Sequence, residues 1–193
     1  MRKINVLTFL TMDGVMQGPG GPEEDTSNGF NRGGWSVGYF DEAVGQEMGK
    51  QMGGKFDLLL GRRTYETMAA NWPHMPQDNP FTTWINAMEK FVASRTLTEP
   101  LDWNATLLSG ELGSAVSAIK ETDGPDLTVL GSGVLVQSLR EHGLIDEYLL
   151  SIYPLVLGSG SRLFPDGAAA DLTLTDSVTT TTGVIVGRFR PRG

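Results

Sequence analysis

Hydrophobic residues in this chain fall into short runs separated by stretches of helical spacing. Runs of branched and aromatic residues bounded by glycine or polar residues are typical of buried strands. The strands predicted in this way cover residues 4–10, 56–60, 91–93, 106–108, 127–130 and 148–157. Apolar residues recurring every three or four positions predict the intervening helices. These helices cover residues 64–70, 81–88, 112–119 and 134–142, with one more starting after an N-cap at Asp41.

The end of the chain has a different pattern, with two strand-like segments in succession. Residues 172–181 and 184–190 predict an antiparallel pair that turns near Thr182 and Gly183. Strands that alternate with helices and then close on a hairpin predict an α/β fold. Its central sheet is mostly parallel and has an antiparallel edge. Because no repeat or linker divides the chain, we predict a single domain over residues 1–193.

Residues 17–39 interrupt this alternation, since they are rich in glycine and poor in apolar residues. They predict a long irregular loop, and such a loop inside a compact domain is usually functional or disordered. The embedded Phe30, Trp35 and Tyr39 favour an ordered, functional loop.

The strongest candidate for binding is the turn after the strand at 56–60, where Gly61, Arg62, Arg63 and Thr64 lead into a helix. A helix that begins at a glycine turn presents unpaired N–H groups and a positive dipole end to an anion. Thr64 is predicted to cap that helix and to offer its hydroxyl to a phosphate. The arginines suit a phosphate monoester such as the 2′-phosphate of NADP. The alternative is a capped helix with two solvated arginines.

A second glycine turn follows the strand at 127–130, where Gly131, Ser132 and Gly133 precede the next helix. The GxGxxG dinucleotide fingerprint is absent, because Val136 stands where its last glycine would fall. A phosphate-binding helix start and an ordinary tight turn both fit this pattern.

Ser94, Arg95 and Thr96 follow the strand at 91–93. Alone they indicate an ordinary turn. If that strand is next to the strand at 56–60, Arg95 lies at the same sheet edge as Arg62 and Arg63, since the carboxyl ends of parallel strands meet there.

Two carboxylates are candidate proton donors or relays. Asp13 follows the first strand directly, and its structural alternative is a turn residue before Gly14. Asp41 follows the long loop, and its structural alternative is a helix cap. The two histidines, His74 and His142, lack the spacing of metal ligands, so we predict no metal site.

Composition narrows the class of protein. A net charge of −8 over 193 residues argues against a nucleic-acid partner, because phosphate neutralisation needs a basic surface. With no cysteine, thiolate catalysis and zinc–sulfur sites are excluded. No apolar run reaches the roughly 20 residues of a membrane span, and the amino-terminal segment is unlike a signal peptide. We therefore expect a cytoplasmic protein with no membrane partner.

The motifs together resemble a known superfamily. They are TMDG at 11–14, GRRTYE at 61–66, SRT at 94–96, GSG at 131–133, LIDE at 144–147 and PLVLGSG at 154–160. In this order they resemble the dihydrofolate-reductase-like superfamily. Within it, they are similar to stand-alone relatives of the reductase domain of the riboflavin-biosynthesis deaminase-reductase. The resemblance implies a three-layer α/β fold with helices on both faces of the sheet, NADPH as cofactor, and a homodimer, which the apolar strand at 148–157 also favours.

The resemblance also implies roles for individual residues. Residues 61–64 would hold the 2′-phosphate and pyrophosphate, and residues 94–96 would lie beside the adenosine. The turn and helix start Gly131, Ser132, Gly133, Val134 and Leu135 would bind the pyrophosphate. Gly14, Val15 and Met16 would form a mobile loop over the nicotinamide. Ser151 would face the substrate. In place of the aspartate pair and proline of the riboflavin-pathway reductases, residues 66–70 read ETMAA, which argues against their phosphoribosyl-aminopyrimidine substrate.

The main hypothesis is therefore an NADPH-dependent reductase of a small pterin- or aminopyrimidine-like heterocycle, or of a related C=N or C=O substrate. Phe30, Trp35 and Trp72 would wall the substrate site, and Asp13 or Asp41 would help to protonate the product. The alternatives are a module that binds NADP(H) without turnover and a flavin-binding protein.

Overall fold

The structure is a computed structural model that describes residues 1–52 and 55–192. Eight strands form one mixed sheet in the order β4-β3-β2-β5-β1-β6-β8-β7. The strands are β1 (Ile4–Thr11), β2 (Phe56–Gly61), β3 (Lys90–Ala93), β4 (Ala105–Leu108), β5 (Asp126–Leu130), β6 (Glu147–Tyr153), β7 (Leu172–Thr179) and β8 (Ile185–Pro191). The helices are α1 (Glu42–Met52), α2 (Arg62–Asn71), α3 (Pro80–Ala87), α4 (Leu112–Glu121) and α5 (Gly133–Glu141). The predicted α/β fold with an antiparallel carboxy-terminal edge is confirmed.

The chain groups into two compact units. The first unit comprises Met1–Asn5 and Lys55–Ile145, and the second comprises Val6–Gly54 and Asp146–Gly193. The single domain predicted from the sequence stays a prediction.

In the first unit, β2 pairs in parallel with both β3 and β5, and β3 pairs in parallel with β4. The interior strand β2 carries three consecutive leucines after Asp57, as expected for a strand that is covered on both faces. Leu58, Leu59 and Leu60 are completely buried, as are Val92 and Leu127 on its two neighbours. This packing fixes the β2 and β3 ends side by side, with Gly61 opposite Ala93.

In the second unit, β8 pairs antiparallel with β6 and β7. The predicted turn between the last two strands is present: the Thr180 N–H donates to the Val184 carbonyl over 2.9 Å. The edge strand β7 is exposed along most of its length and has a register shift between Leu174 and Asp176. Such irregularity at an edge discourages pairing with another chain.

The prediction that the sixth strand extends to residue 157 is wrong, because β6 ends at Tyr153. Pro154 follows and has no N–H to donate to a ladder. The Leu155 N–H then donates to the Tyr153 carbonyl over 2.8 Å, so the chain turns away from the strand. The apolar run therefore extends beyond the end of the strand. Hydrophobic periodicity alone could not show where the strand ends.

Candidate functional site

The β2–α2 turn in the first unit starts its helix earlier than predicted. The N-cap is Gly61, with extended backbone at φ −79° and ψ 160°, and Arg62 is the first helical residue. The prediction that Thr64 caps the helix is therefore wrong, since Thr64 lies in the first turn. The Gly61 N–H donates to the Ser132 hydroxyl over 3.0 Å, so a contact distant in sequence defines this turn.

The β5–α5 turn has an unusual backbone. Gly131 and Ser132 both adopt the left-handed conformation, with φ of 58° and 54°. That region suits glycine and is costly for a serine. Ser132 is the N-cap of α5, yet its side chain makes no hydrogen bond to the helix it precedes. The first N–H groups of α5 are therefore left without a side-chain cap and are suited to an anion.

Instead, the Ser132 side chain connects the two turns. Its hydroxyl accepts from the Gly61 N–H and donates to the Thr64 hydroxyl oxygen over 2.9 Å. Gly131 lies close to the same threonine, because a Cβ at this position would come within 3.6 Å of Thr64 Cγ2. Both glycine turns were candidate phosphate sites from the sequence, and the structure brings the two turns together.

The turn after β3 lies beside the β2–α2 turn, as the predicted adjacency of the two strands requires. Ser94 accepts hydrogen bonds from the N–H groups of Thr96 and Leu97, both at 3.1 Å. Arg62 Nη1 donates to the Thr96 hydroxyl over 2.9 Å. Arg62 is therefore already engaged at this edge.

The other two cations at this edge are available. Arg63 and Arg95 are exposed, and within the described part of the chain neither donates to another residue. Arg62, by contrast, also lies 3.8 Å from Glu66, one helical turn away. Arginine presents five N–H donors in a rigid fork, so two free guanidinium groups here supply donors matched to phosphate.

Asp13, in the second unit, serves the backbone of a neighbouring loop. Its carboxylate accepts from the Thr11 hydroxyl at 2.6 Å, from the Gly158 N–H at 2.8 Å and from the Leu157 N–H at 3.2 Å. Partial burial acts to raise the pKa of Asp13, but these hydrogen bonds outweigh it and hold the pKa below its usual value. An ionised carboxylate with three donors is a good acceptor and a poor acid.

Asp41 is the N-cap of α1, as predicted. Its carboxylate accepts from the Val44 N–H over 2.7 Å, and also from the Thr181 hydroxyl and the Thr182 N–H. The hydrogen bond from Thr181, followed by that from Val44, lowers the pKa of Asp41. The structural role is therefore present, and the acid role of both carboxylates stays a prediction.

The segment containing Gly14, Val15 and Met16, predicted to cover the nicotinamide, is firmly held within the second unit. Val15 is completely buried, and the Met16 N–H donates to the Ser161 carbonyl over 2.9 Å. The Leu163 N–H donates to the Gly14 carbonyl over 3.1 Å. Gly160 permits this packing, because its φ is +120° and a Cβ there would lie 2.6 Å from Val15 Cγ1. The predicted mobility of this segment finds no support in these contacts.

The four predicted substrate contacts have different surroundings. Phe30 and Trp35 are core residues of the second unit, where Trp35 packs edge-on against Tyr153 and donates to the Gln17 carbonyl over 2.8 Å. Ser151 is buried in β6. Trp72, in the first unit, is partly exposed and packs against Phe81. Their contact with a substrate stays a prediction.

Comparison with known proteins identifies the family of this chain. Residues 2–186 match the model of the RibD C-terminal domain family. The chain belongs to this family. The match confirms the predicted resemblance and the dihydrofolate-reductase-like α/β fold, and it supports a family of oxidoreductases.

Two individual relatives share about a quarter to a third of their aligned residues with this chain. The uncharacterized Bacillus subtilis protein YyaP is 30% identical over 132 residues, which cover 66% of this chain and 70% of YyaP. The uncharacterized YwjB of the same organism is 26% identical over 108 residues, covering 55% of this chain and 57% of YwjB.

Two solved structures share the fold. A Shewanella sp. PV-4 protein named after riboflavin biosynthesis aligns with a TM-score of 0.67 at 18% identity and covers 99% of both chains. A pyrimidine reductase-like protein of Corynebacterium diphtheriae aligns with a TM-score of 0.65 at 12% identity, covering 100% of this chain and 92% of that one.

Two residues that hold loops of the second unit together by hydrogen bonds were not predicted from the sequence. Gln17 donates to the carbonyls of Asp25 and Ser27 and accepts from the Ser161 N–H. Arg162 donates to the Asp13 carbonyl over 3.0 Å. Neither lies in a recognisable motif, so only the contacts reveal their role.

Two further expectations concern partners and environment. Among the described residues, no helix combines the length and hydropathy needed to cross a bilayer. Within the same residues, no three histidine or carboxylate side chains are grouped as metal ligands. The homodimer stays a prediction, and the side chains of β6 do not argue for it, because most are buried within this chain. The large exposed apolar side chains of the two last strands are Leu174, Val178 and Ile185.

Proposed function

We propose that this protein is an NADPH-dependent reductase of a small pterin- or aminopyrimidine-like heterocycle, or of a related C=N or C=O substrate. The observation that carries the proposal is the pair of glycine turns in the first unit, joined through Ser132 and flanked by two unengaged arginines. Membership of the RibD C-terminal domain family supports the reductase assignment.

The residues present fit the anionic part of NADPH. The uncapped start of α5 supplies N–H donors and a positive dipole end to the pyrophosphate. Thr64 adds a hydroxyl, and Arg63 and Arg95 supply forked cations for the 2′-phosphate and the adenosine side. These donors lie together at one sheet edge of a protein whose net charge is −8.

NADPH, when bound, supplies the hydride. The protein's part is to hold the cofactor and the acceptor in a reactive orientation and to exclude water. Since the pKa of both Asp13 and Asp41 lies below the usual value, neither carboxyl carries a proton at neutral pH. A direct acid role would require one of them to gain a proton when substrate is bound.

That last point favours one alternative, a module that binds NADP(H) without turnover. Both candidate acids already have structural hydrogen bonds, which such a module would retain. Replacing Asp13 or Asp41 with asparagine would lower the rate of NADPH oxidation in a reductase that uses the carboxyl. In a binding module only stability would change.

Thermal unfolding with NADPH, with NADH and without ligand tests the proposal. A ligand at 100 times its Kd adds about 2.7 kcal/mol to the free energy of unfolding. For a chain of this size that raises Tm by roughly 5–10 °C. We expect this rise with NADPH and a smaller one with NADH, followed by NADPH oxidation with members of a heterocycle panel. No rise with either nucleotide at millimolar concentration would contradict the cofactor assignment.

A further inference from the structure

We propose that Ser132 is a positioning residue that turns the Thr64 hydroxyl hydrogen towards the cofactor's phosphates. This inference rests on the proposed function, because it concerns the same cofactor site. It assigns to Ser132 a role that acts through Thr64 and the Gly61 backbone, with no need for direct phosphate contact by the serine itself.

The Ser132 and Thr64 hydroxyls have one hydrogen each to share among their neighbours. A hydroxyl has one hydrogen to donate and two lone pairs to accept with. The Ser132 oxygen accepts from the Gly61 N–H at 3.0 Å, and its single hydrogen goes to Thr64 at 2.9 Å. The Thr64 oxygen is thereby an acceptor from Ser132, so its own hydrogen must point elsewhere.

The Thr64 hydrogen has no acceptor among the residues that the structure describes. A partly buried hydroxyl hydrogen without an acceptor suits a negatively charged ligand, because a hydrogen bond to a charged oxygen is about twice as strong as a neutral one. Without Ser132, the Thr64 hydroxyl would rotate freely, and part of its binding contribution would be lost in fixing it.

The backbone cost at Ser132 supports a role beyond local turn formation. With φ 54° and ψ 46°, this residue occupies a region in which glycine would be less strained. Its side chain also leaves its own helix uncapped, although serine is among the preferred N-cap residues. Both local preferences are overridden by the bond to the neighbouring turn.

Replacing Ser132 with glycine gives a sharp test, because it removes the hydroxyl and relieves the backbone together. The Gly61 N–H loses an acceptor while the left-handed residue loses its strain, so the two effects on stability oppose each other. We expect Tm without ligand to stay within a few degrees of the parent protein. We expect Kd for NADPH, measured by calorimetry, to rise about tenfold.

A double-mutant cycle separates positioning from a general disturbance. Thr64→Val removes the hydroxyl that Ser132 is proposed to orient, and we expect it to weaken NADPH binding by about tenfold. The combined S132G and T64V variant should bind no more weakly than T64V alone, since Ser132 then has nothing to orient. Ser138→Ala, in the same helix, is the matched control and should leave Kd unchanged.

The outcomes separate this inference from the function on which it rests. If the parent protein does not bind NADPH, the proposed function fails and this inference fails with it. If the parent binds but S132G binds equally well, or if S132G and T64V weaken binding independently, only the role of Ser132 is overturned. Coupled losses with Tm preserved support it.

Discussion

The two units use their polar side chains in opposite ways. In the first unit, the edge formed by the two glycine turns leaves donors unused, namely the start of α5, Arg63 and Arg95. In the second unit, the candidate acids Asp13 and Asp41 accept hydrogen bonds from loops of the same chain. A polar residue in a motif can thus bind a ligand or stabilise the fold. A donor with no partner within the protein indicates ligand binding.

Lys90 offers the largest expected effect, because it is a completely buried cation of the first unit whose donors are used internally. Its Nζ donates to the Met88 and Asn86 carbonyls at 2.7 and 3.0 Å and lies 4.2 Å from the centre of the Trp103 ring. Burial lowers the pKa of Lys90 to about 8, against the opposing charge of Asp57.

A lowered folded-state pKa means that the folded protein releases this proton before the unfolded chain does. Stability should therefore rise between pH 8 and 10, by about 1.4 kcal/mol for each pH unit. Lys90→Met should remove that slope while leaving NADPH binding unchanged. Urea unfolding across this pH range is the measurement, with exposed Lys55→Met as control. An identical slope in K90M would show that Lys90 does not titrate there.

Variants of Arg63 and Arg95 test whether the unengaged donors of the first unit bind a ligand. Because both are exposed and unengaged, replacing both with alanine should barely change Tm. Kd for NADPH should rise by about 10- to 100-fold, since hydrogen bonds to charged groups contribute roughly 1.5–3 kcal/mol, while Kd for NADH should rise much less.

Arg62→Ala and Arg63→Lys refine this comparison. Arg62 is engaged with Thr96, so its loss should affect NADPH less than the loss of Arg63. R63K keeps the charge and loses the fork, so an intermediate Kd is expected. Equal weakening of NADPH and NADH in the double variant would contradict the assignment of these arginines to the 2′-phosphate.

Asp13→Asn should produce the smallest effect of these variants, a modest loss of stability. It replaces an ionised acceptor of three hydrogen bonds and should lower Tm by a few degrees at neutral pH. Because the folded pKa of Asp13 is lowered, its contribution is present above the unfolded pKa and disappears as pH falls through the folded one.

The free energies of unfolding of D13N and of the parent protein should therefore become equal at acid pH. Asp123→Asn is the control, because Asp123 is exposed and its side chain makes no hydrogen bond or ion pair among the described residues. A loss of NADPH oxidation with Tm unchanged would reverse our conclusion, since Asp13 would then act in catalysis and not in holding the loop.

Prediction from the sequence succeeded where local chemistry sets the structure. The strand at 56–60 was found because β2 is buried on both faces and four of its first five residues are apolar. Asp41 was recognised as an N-cap because that preference is local. The start of α2 was placed two residues too late, at a junction where the Gly61 N–H donates to Ser132, a partner remote in sequence.

The sequence by itself determined which segments form strands, together with the glycine turns and the cations that follow them, since apolar periodicity and backbone freedom are local properties. Only the tertiary structure decided which of the polar residues are free. It engages Arg62 and leaves Arg63 and Arg95 open, and it assigns Asp13 to a loop. The physical reason is that a hydrogen bond consumes a donor or a lone pair, and the partners that consume them are brought together only by folding.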